Sequence, residues 1–222
     1  MDQAEPDFAA ARDCMVDSQV RPNKVYDPRI LAAMRRIPRE RFLPADRTAF
    51  AYLDEDVPLP GGRAMMEPMV IARLLQASAL VPNERALVVA AGTGYGAALL
   101  AACDVTVIAL EHDSALLDLA RPALAEWAPG VKLVGGPPEK GWPDGAPYDL
   151  ILVDGAASRF PPALAQQLRP RGGRLVGVLR EGEGQARAMI AELTPAGLRP
   201  QPLFDCAVPL IPALTDAPAF TF

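Results

Sequence analysis

The chain has 222 residues, of which 50% are apolar, and it carries a formal net charge of −5. This length suits one domain with a sizeable core, and the apolar content excludes a disordered chain. The acidic balance disfavours non-specific binding of nucleic acids, so we expect no nucleic-acid partner.

Cysteine and histidine are too few for a disulfide framework or a transition-metal site. Cys14, Cys103 and Cys206 are widely spaced, and His112 is the single histidine. The acidic N-terminus lacks the apolar segment of a signal peptide, and the apolar stretches fall far below the roughly 20 residues of a membrane span. These features predict a cytoplasmic protein without a metal or a membrane partner.

The first 80 residues predict helices separated by a long irregular segment. Asp27 can cap a helix over residues 28–37, with a proline in its first turn. Residues 38–67 are rich in proline and glycine, and this composition predicts loops without regular structure. A further helix is predicted over residues 68–80.

From residue 85 onward the pattern changes to alternating strands and helices. Strands are predicted at 85–90, 105–110, 131–135, 149–154 and 174–179, and helices at 95–102, 114–127, 161–169 and 184–193. Short β-branched strands that alternate with alanine- and leucine-rich helices are typical of a parallel α/β sheet. Pro122 is expected to break or kink its helix, and the residues after 197 are expected to add one or two edge strands.

The segment ALVVAAGTGYGAALLAA, residues 86–102, predicts a strand, a tight glycine turn and a helix. Glycines let a ligand approach the backbone, and the helix start offers free N–H groups and a positive dipole end. The next strand, VTVIALEHD, ends at Glu111, whose carboxylate can accept both ribose hydroxyls of a nucleoside. The alternative for Glu111 is a solvated surface charge. Dehydrogenases and methyltransferases share this arrangement, and the later segments APYDLILVDGAA and QQLRPRGGRLVGVL favour a methyltransferase.

Six motifs in order carry a family resemblance: VYDPRILAAMRRIPRERFLP, AYLDEDVPLP, GTGYGAALLA, IALEHD, APYDLILV and PPALAQQLRPRGGRLVGV. With them the chain resembles protein-L-isoaspartate (D-aspartate) O-methyltransferases over nearly its whole length. The resemblance implies a class I, Rossmann-like α/β fold with a seven-stranded, mostly parallel sheet and a small N-terminal helical part. Residues 81–222 would then bind S-adenosylmethionine and residues 1–80 would lie on the substrate side of one compact unit. The implied activity is carboxyl methylation of isoaspartyl residues, a protein-repair reaction.

The resemblance also implies a set of cofactor-binding residues, namely Ala90, Gly92, Gly94, Glu111, His112 and Pro137. Gly92 and Gly94 would line the methionine and ribose part, Glu111 would hold the ribose hydroxyls, and His112 would lie beside the adenine. The family's Gly-Asp-Gly loop at the adenine reads Gly-Pro-Pro here, at 136–138.

The chain departs from the family at the substrate side. Residues 64–66 read Ala-Met-Met where the family has Thr-Ile-Ser, so Ala64 and Met66 replace the two hydroxyl residues. The preceding loop is about two residues shorter than in the family. Before the glycine turn, Val88 replaces an acid and Ala90 replaces a glycine. These changes predict weakened binding of substrate and cofactor.

Two charged residues are candidates for compensation, although neither is an assigned catalytic group. Arg63 could pair with a substrate carboxylate, or it could be a solvated loop arginine. Asp154 ends the fourth predicted strand and could hold the methionine amine, act as a base toward a different acceptor, or cap a loop. Met65 and Met66, with Met69, could form an apolar substrate wall, and we expect at least one of the three to belong to the core.

Three functions follow from these residues. The first is an isoaspartyl-type carboxyl methyltransferase that is weakened at its substrate loop. The second is a methyltransferase of the same fold that acts on a smaller or more apolar acceptor. The third is a non-catalytic protein that kept the fold and works by binding. In each case we expect a monomer or a homodimer.

Overall fold

A seven-stranded sheet forms the centre of the molecule in this computed structural model, which describes residues 7–180, 182, 184–194 and 197–215. Two short strands, β1 (Val57–Leu59) and β2 (Arg63–Met65), pair with each other outside this sheet. The sheet itself contains β3 (Arg85–Val89), β4 (Thr106–Glu111), β5 (Lys132–Gly135), β6 (Leu150–Ala157), β7 (Arg174–Leu179), β8 (Ala186–Thr194) and β9 (Gly197–Cys206). The helices are α1 (Phe8–Met15), α2 (Pro28–Arg36), α3 (Pro68–Ala77), α4 (Tyr95–Ala102), α5 (Ser114–Trp127) and α6 (Pro162–Ala165).

The order of the large sheet is β5-β4-β3-β6-β7-β8-β9. The first five of these strands are parallel, whereas β8 runs antiparallel to both β7 and β9. The strand order reverses between β3 and β6, and in open α/β sheets ligands bind outside the carboxyl ends of the strands at such a point. The fold therefore directs attention to the ends of β3, β4 and β6, and it confirms the predicted α/β class.

Local sequence signals fix the helix starts as predicted. The carboxylate of Asp27 accepts a hydrogen bond from Arg29 N, with Pro28 in the first turn of α2. The carboxylate of Asp113 accepts from the amides at the start of α5. This helix continues through Pro122 without interruption, so the predicted break is absent.

The predicted helix at 184–193 is wrong, because this segment is strand β8. Alanine and glutamate are good helix formers, but intrinsic propensity is a small term, and pairing of β8 with β7 on one side and β9 on the other overrides it. The predicted helix at 161–169 is also too long, since α6 ends at Ala165. Gln167 O then accepts a hydrogen bond from Tyr148 N, which draws the chain into an extended path beside β6.

The N-terminal region covers one side of the sheet and contains more regular structure than predicted. Helix α3 packs against β7 and β8, and α2 packs against α4. Within residues 38–67, expected to be loops alone, β1 and β2 form a short antiparallel hairpin in which Leu59 pairs with Arg63. Among the residues described, no helix combines the length and the apolar character needed to cross a membrane.

Candidate active site

The loop that follows β3 has the backbone geometry expected for a nucleotide site. Ala90, Gly92 and Gly94 take φ angles of 54°, 58° and 91°. A Cβ atom at Gly94 would lie 2.9 Å from Leu124 Cδ1, so this position requires glycine. A left-handed conformation costs an alanine about 1–2 kcal/mol. Ala90 therefore carries backbone strain at a position where the family that the sequence resembles has glycine.

Glu111, at the end of β4, is held against this loop and is fully buried. Its Oε2 accepts a hydrogen bond of 2.8 Å from Gly92 N. Its Oε1 accepts bonds of 2.7 Å from His112 N and 3.0 Å from Asp113 N. The carboxylate therefore lies at the strand tip as predicted, and it is not the solvated surface charge that was the alternative.

Arg63, the first residue of β2, reaches into the same point and is only 5% exposed. Its Nη1 lies 3.1 Å from Glu111 Oε2. Its Nη2 donates to Ala90 O at 2.6 Å and to Asp154 O at 2.9 Å. One guanidinium thus joins the ends of β3 and β4 to Asp154. Asp154 lies within β6 and not at its end as predicted, and Arg63 is not the solvated loop arginine that was one of its two alternatives.

Little space remains between these groups. The cavity beside Arg63 has a volume of about 10 Å³. Its walls include Met65, Met66, Tyr95 and Asp154. This volume accommodates about one water molecule.

Asp154 is the titratable group of this cavity. It lies where the pairing of β6 with β7 changes register, next to Gly155 with its φ of 141°. Burial raises the pKa of the Asp154 carboxyl to about 7; the Arg63 cation opposes this shift and the Glu111 carboxylate adds to it. Within the described part of the chain its carboxylate accepts no hydrogen bond, and it borders the cavity as a group that titrates near neutral pH.

The raised pKa of Asp154 predicts a pH-dependent stability. Between its unfolded value of 3.8 and about 7, the native state keeps a proton that the unfolded chain has released, so stability falls as pH rises through that window. Asp154→Asn removes this loss, and since one pKa unit is worth about 1.4 kcal/mol, we expect the variant to be more stable than the parent by up to about 4 kcal/mol at pH 8. The gain should shrink toward pH 4 in urea unfolding series, whereas Asp118→Asn, on the exposed face of α5, should show no such trend. A gain that does not change with pH would contradict the assignment.

The residues that replace the hydroxyl motif belong largely to the core. Met66 is 1% exposed, Met65 is also buried, and Ala64 is half-buried. Beneath them Arg39, which is fully buried, donates from Nη2 to Met66 O at 2.6 Å and from Nε to Ala51 O at 2.7 Å. The expectation that at least one methionine belongs to the core is confirmed, and Arg39 is a support that the sequence did not reveal.

An open groove lies near the altered motif. Its volume is about 780 Å³, and it runs along the ends of β7, β8 and β9. Asp56 borders this groove and also contacts the residue after the altered motif, because Asp56 Oδ1 accepts a hydrogen bond of 2.7 Å from Glu67 N. Asp205 and Arg180 border it as well. The groove is large enough for a peptide side chain and adjoins the segment that the sequence assigned to the substrate.

Comparison with known proteins identifies the family. A family model described as protein-L-isoaspartate(D-aspartate) O-methyltransferase matches residues 11–196. A protein-L-isoaspartate O-methyltransferase of Methylorubrum extorquens is 44% identical over 171 residues, which cover 77% of this chain and 75% of the relative. The one of Koribacter versatilis is 39% identical over 214 residues, covering 94% and 95%. The chain belongs to this family.

Solved structures support the fold of this protein-L-isoaspartate O-methyltransferase family member. One protein-L-isoaspartate O-methyltransferase aligns with a TM-score of 0.79 at 21% identity, over 93% of this chain and 67% of that one. Another, from Plasmodium falciparum and in complex with S-adenosyl-L-homocysteine, aligns with a TM-score of 0.77 at 19% identity, over 90% and 97%. The class I methyltransferase architecture predicted from the sequence is therefore confirmed.

The strand tips of this family member fit an adenosyl cofactor in chemistry but not in space. Glu111 and the turn of Gly92 and Gly94 come together as the resemblance implies. His112 is exposed beside Glu111, and Pro137 is exposed after β5, at the adjoining strand end. Arg63 contacts Glu111 at this point, and no local pattern in the sequence signals that contact.

Proposed function

We propose that this protein methylates the carboxyl group of isoaspartyl residues with S-adenosylmethionine as methyl donor, as its family does, at a reduced rate. The observation that carries this proposal is the position of Glu111. Its carboxylate is tied to the glycine turn at the point where the strand order of the sheet reverses. In this proposal Glu111 binds the ribose hydroxyls of the cofactor, and Gly92 and Gly94 line its methionine and ribose part. His112 and Pro137 lie beside the adenine.

The chemistry asks for positioning rather than for a base. A carboxylate acceptor has a pKa near 4 and is already the nucleophile at neutral pH. The bound cofactor supplies a methyl group on an activated sulfonium. The protein must align the two groups and exclude water, and the buried wall of Met65 and Met66 provides the exclusion.

The altered substrate motif accounts for the reduced rate. Ala64 and Met66 offer no hydroxyl that could donate a hydrogen bond to the acceptor carboxylate. The loss of one such bond is worth about 1–3 kcal/mol, or about tenfold to a hundredfold in rate or affinity. The reactive groups themselves are unaffected.

A second candidate is a methyltransferase that acts on a smaller, more apolar acceptor. It is favoured by the methionine wall and by Asp154, which faces the cavity with a pKa raised to about 7 by burial. An acceptor hydroxyl, unlike a carboxylate, needs a base, and Asp154 is the group in place to take its proton.

A transfer assay with isoaspartyl peptide tests the proposal. The protein is incubated with methyl-labelled S-adenosylmethionine and a peptide that contains one isoaspartyl residue, beside the same peptide with normal aspartate. We expect slow labelling of the isoaspartyl peptide alone. Cofactor binding without labelling would favour the apolar acceptor, and neither binding nor labelling would leave a non-catalytic binding protein.

Restoring the hydroxyls should raise the rate. Ala64→Thr together with Met66→Ser is expected to increase isoaspartyl methylation about tenfold to a hundredfold, because at least one hydroxyl returns a hydrogen bond to the acceptor. Met66 is buried, so serine there should also lower the melting temperature. Ala64→Thr alone, at a half-buried position, separates the two effects. An unchanged rate in both folded variants would show that the pocket differs more deeply.

A further inference from the structure

Arg63 contacts the polar groups at the strand ends with which a cofactor would form hydrogen bonds. Arg63 Nη1 pairs with Glu111 Oε2, the same oxygen that accepts from Gly92 N. Arg63 Nη2 binds the carbonyl oxygens of Ala90 and Asp154 at 2.6 and 2.9 Å. A charge-assisted contact of this kind, shielded from water, is stronger than a neutral hydrogen bond. The Arg63 side chain therefore occupies hydrogen-bonding groups that a bound cofactor would otherwise contact.

The space agrees with the contacts. The cavity beside Arg63 measures about 10 Å³, whereas pockets for small-molecule ligands and cofactors typically measure about 300–1,000 Å³. The nearest edges of the glycine turn are already in reach of the guanidinium, since a Cβ at Gly92 would lie 3.9 Å from Arg63 Nη2. While Arg63 stays in place, its guanidinium holds Glu111 Oε2 and Ala90 O, and little space is left beside it.

The hairpin that carries Arg63 is fastened at its turn as well. Gly61 takes a φ of 68°, and a Cβ there would collide with the carboxylate of Asp113. The turn between β1 and β2 thus rests directly on the start of α5, beside Glu111. Residues 64–66 follow Arg63 without a break, so a movement that withdraws Arg63 also moves the substrate segment.

From these contacts we propose that Arg63 is an internal competitor of the adenosyl cofactor. The hairpin of residues 57–65 closes the site by placing the guanidinium on Glu111, and the cofactor binds only after the hairpin lifts. The apparent affinity is then the affinity of the open site reduced by the fraction of molecules that are open. This inference rests on the proposed function, because it takes the ligand of Glu111 to be the family's cofactor.

Titration with S-adenosylhomocysteine tests the competition. Calorimetry and the ligand-induced shift in melting temperature are measured for the parent, Arg63→Ala and Arg63→Lys. We expect Arg63→Ala to bind at least about tenfold more tightly than the parent, because the competitor is gone. Arg63→Lys keeps a cation for Glu111 and should stay close to the parent. Arg21→Ala removes an exposed arginine paired with Asp17 and should change nothing. Unchanged or weaker binding by folded Arg63→Ala overturns the proposal.

The parent protein provides a second measurement if Arg63→Ala does not fold. Trp142 lies beside Gly136, near the adenine side, and its fluorescence can follow binding in a stopped-flow experiment. If opening precedes binding, the observed rate levels off as the ligand concentration rises. A rate that rises linearly to millimolar ligand would contradict a closed resting state.

The outcome separates this inference from the proposed function. If Arg63→Ala binds S-adenosylhomocysteine more tightly but no variant methylates an isoaspartyl peptide, competition by Arg63 is supported and the proposed activity is contradicted. Methylation by the parent with no gain in affinity in Arg63→Ala supports the activity and removes the competitor.

Discussion

Glu111→Ala is expected to lower the free energy of unfolding by about 3–5 kcal/mol, the loss typical when one partner of a buried ion pair is removed. The Arg63 guanidinium would stay buried without its anion. In addition the amides of Gly92, His112 and Asp113 would lose their acceptor. Urea unfolding at neutral pH measures the loss.

Two comparisons make the Glu111 experiment specific. Glu126→Ala removes an exposed glutamate that lies 3.2 Å from Arg41, and we expect a change within about 0.5 kcal/mol. The double variant Glu111→Gln with Arg63→Met removes both charges and should lose less than the two single variants together, because neither charge is left alone. A loss below about 1 kcal/mol in Glu111→Ala would show that the pair contributes little to the fold.

Arg39→Ala is expected to lower the free energy of unfolding by about 3–5 kcal/mol, as large-to-small substitutions in cores do. Arg39 is fully buried, its guanidinium lies 5.1 Å from the centre of the Tyr95 ring, and it donates to Ala51 O and Met66 O. Its removal leaves a cavity and two buried carbonyls without their donor. Thermal and urea unfolding measure the effect.

The neighbouring arginine is the matched control for Arg39. Arg41 lies two residues further along the same turn, but its side chain is more than half exposed. Arg41→Ala should therefore change stability by less than about 1 kcal/mol. Equal losses in the two variants would contradict a stabilising role for the buried contacts of Arg39. Because Arg39 holds the carbonyl of Met66, Arg39→Ala should also raise KM for any acceptor that still reacts.

Local patterns in the sequence determined most of the sheet and the frame of the site. The strands β3 to β7 and the helices α4 and α5 follow from short β-branched runs that alternate with alanine-rich ones. The glycine turn and the strand-tip position of Glu111 follow from the same local reading. These features depend on residues close together in the chain, and they form as predicted where tertiary contacts favour the same structure as the local sequence.

Tertiary structure alone decided the features that depend on distant partners. Segment 184–193 is a strand because β7 and β9 hydrogen-bond to it, although its composition favours a helix. Arg63 has no local signal for its position, and only the close approach of the short hairpin to the ends of β3 and β4 and to Asp154 brings it onto Glu111. The sequence by itself determined the family, and it predicted the glycine turn and Glu111 at neighbouring strand ends. The ion pair of Arg63 with Glu111 joins residues far apart in the chain, and only the tertiary structure reveals it, because electrostatic and packing contacts depend on distance in space and not on separation along the sequence.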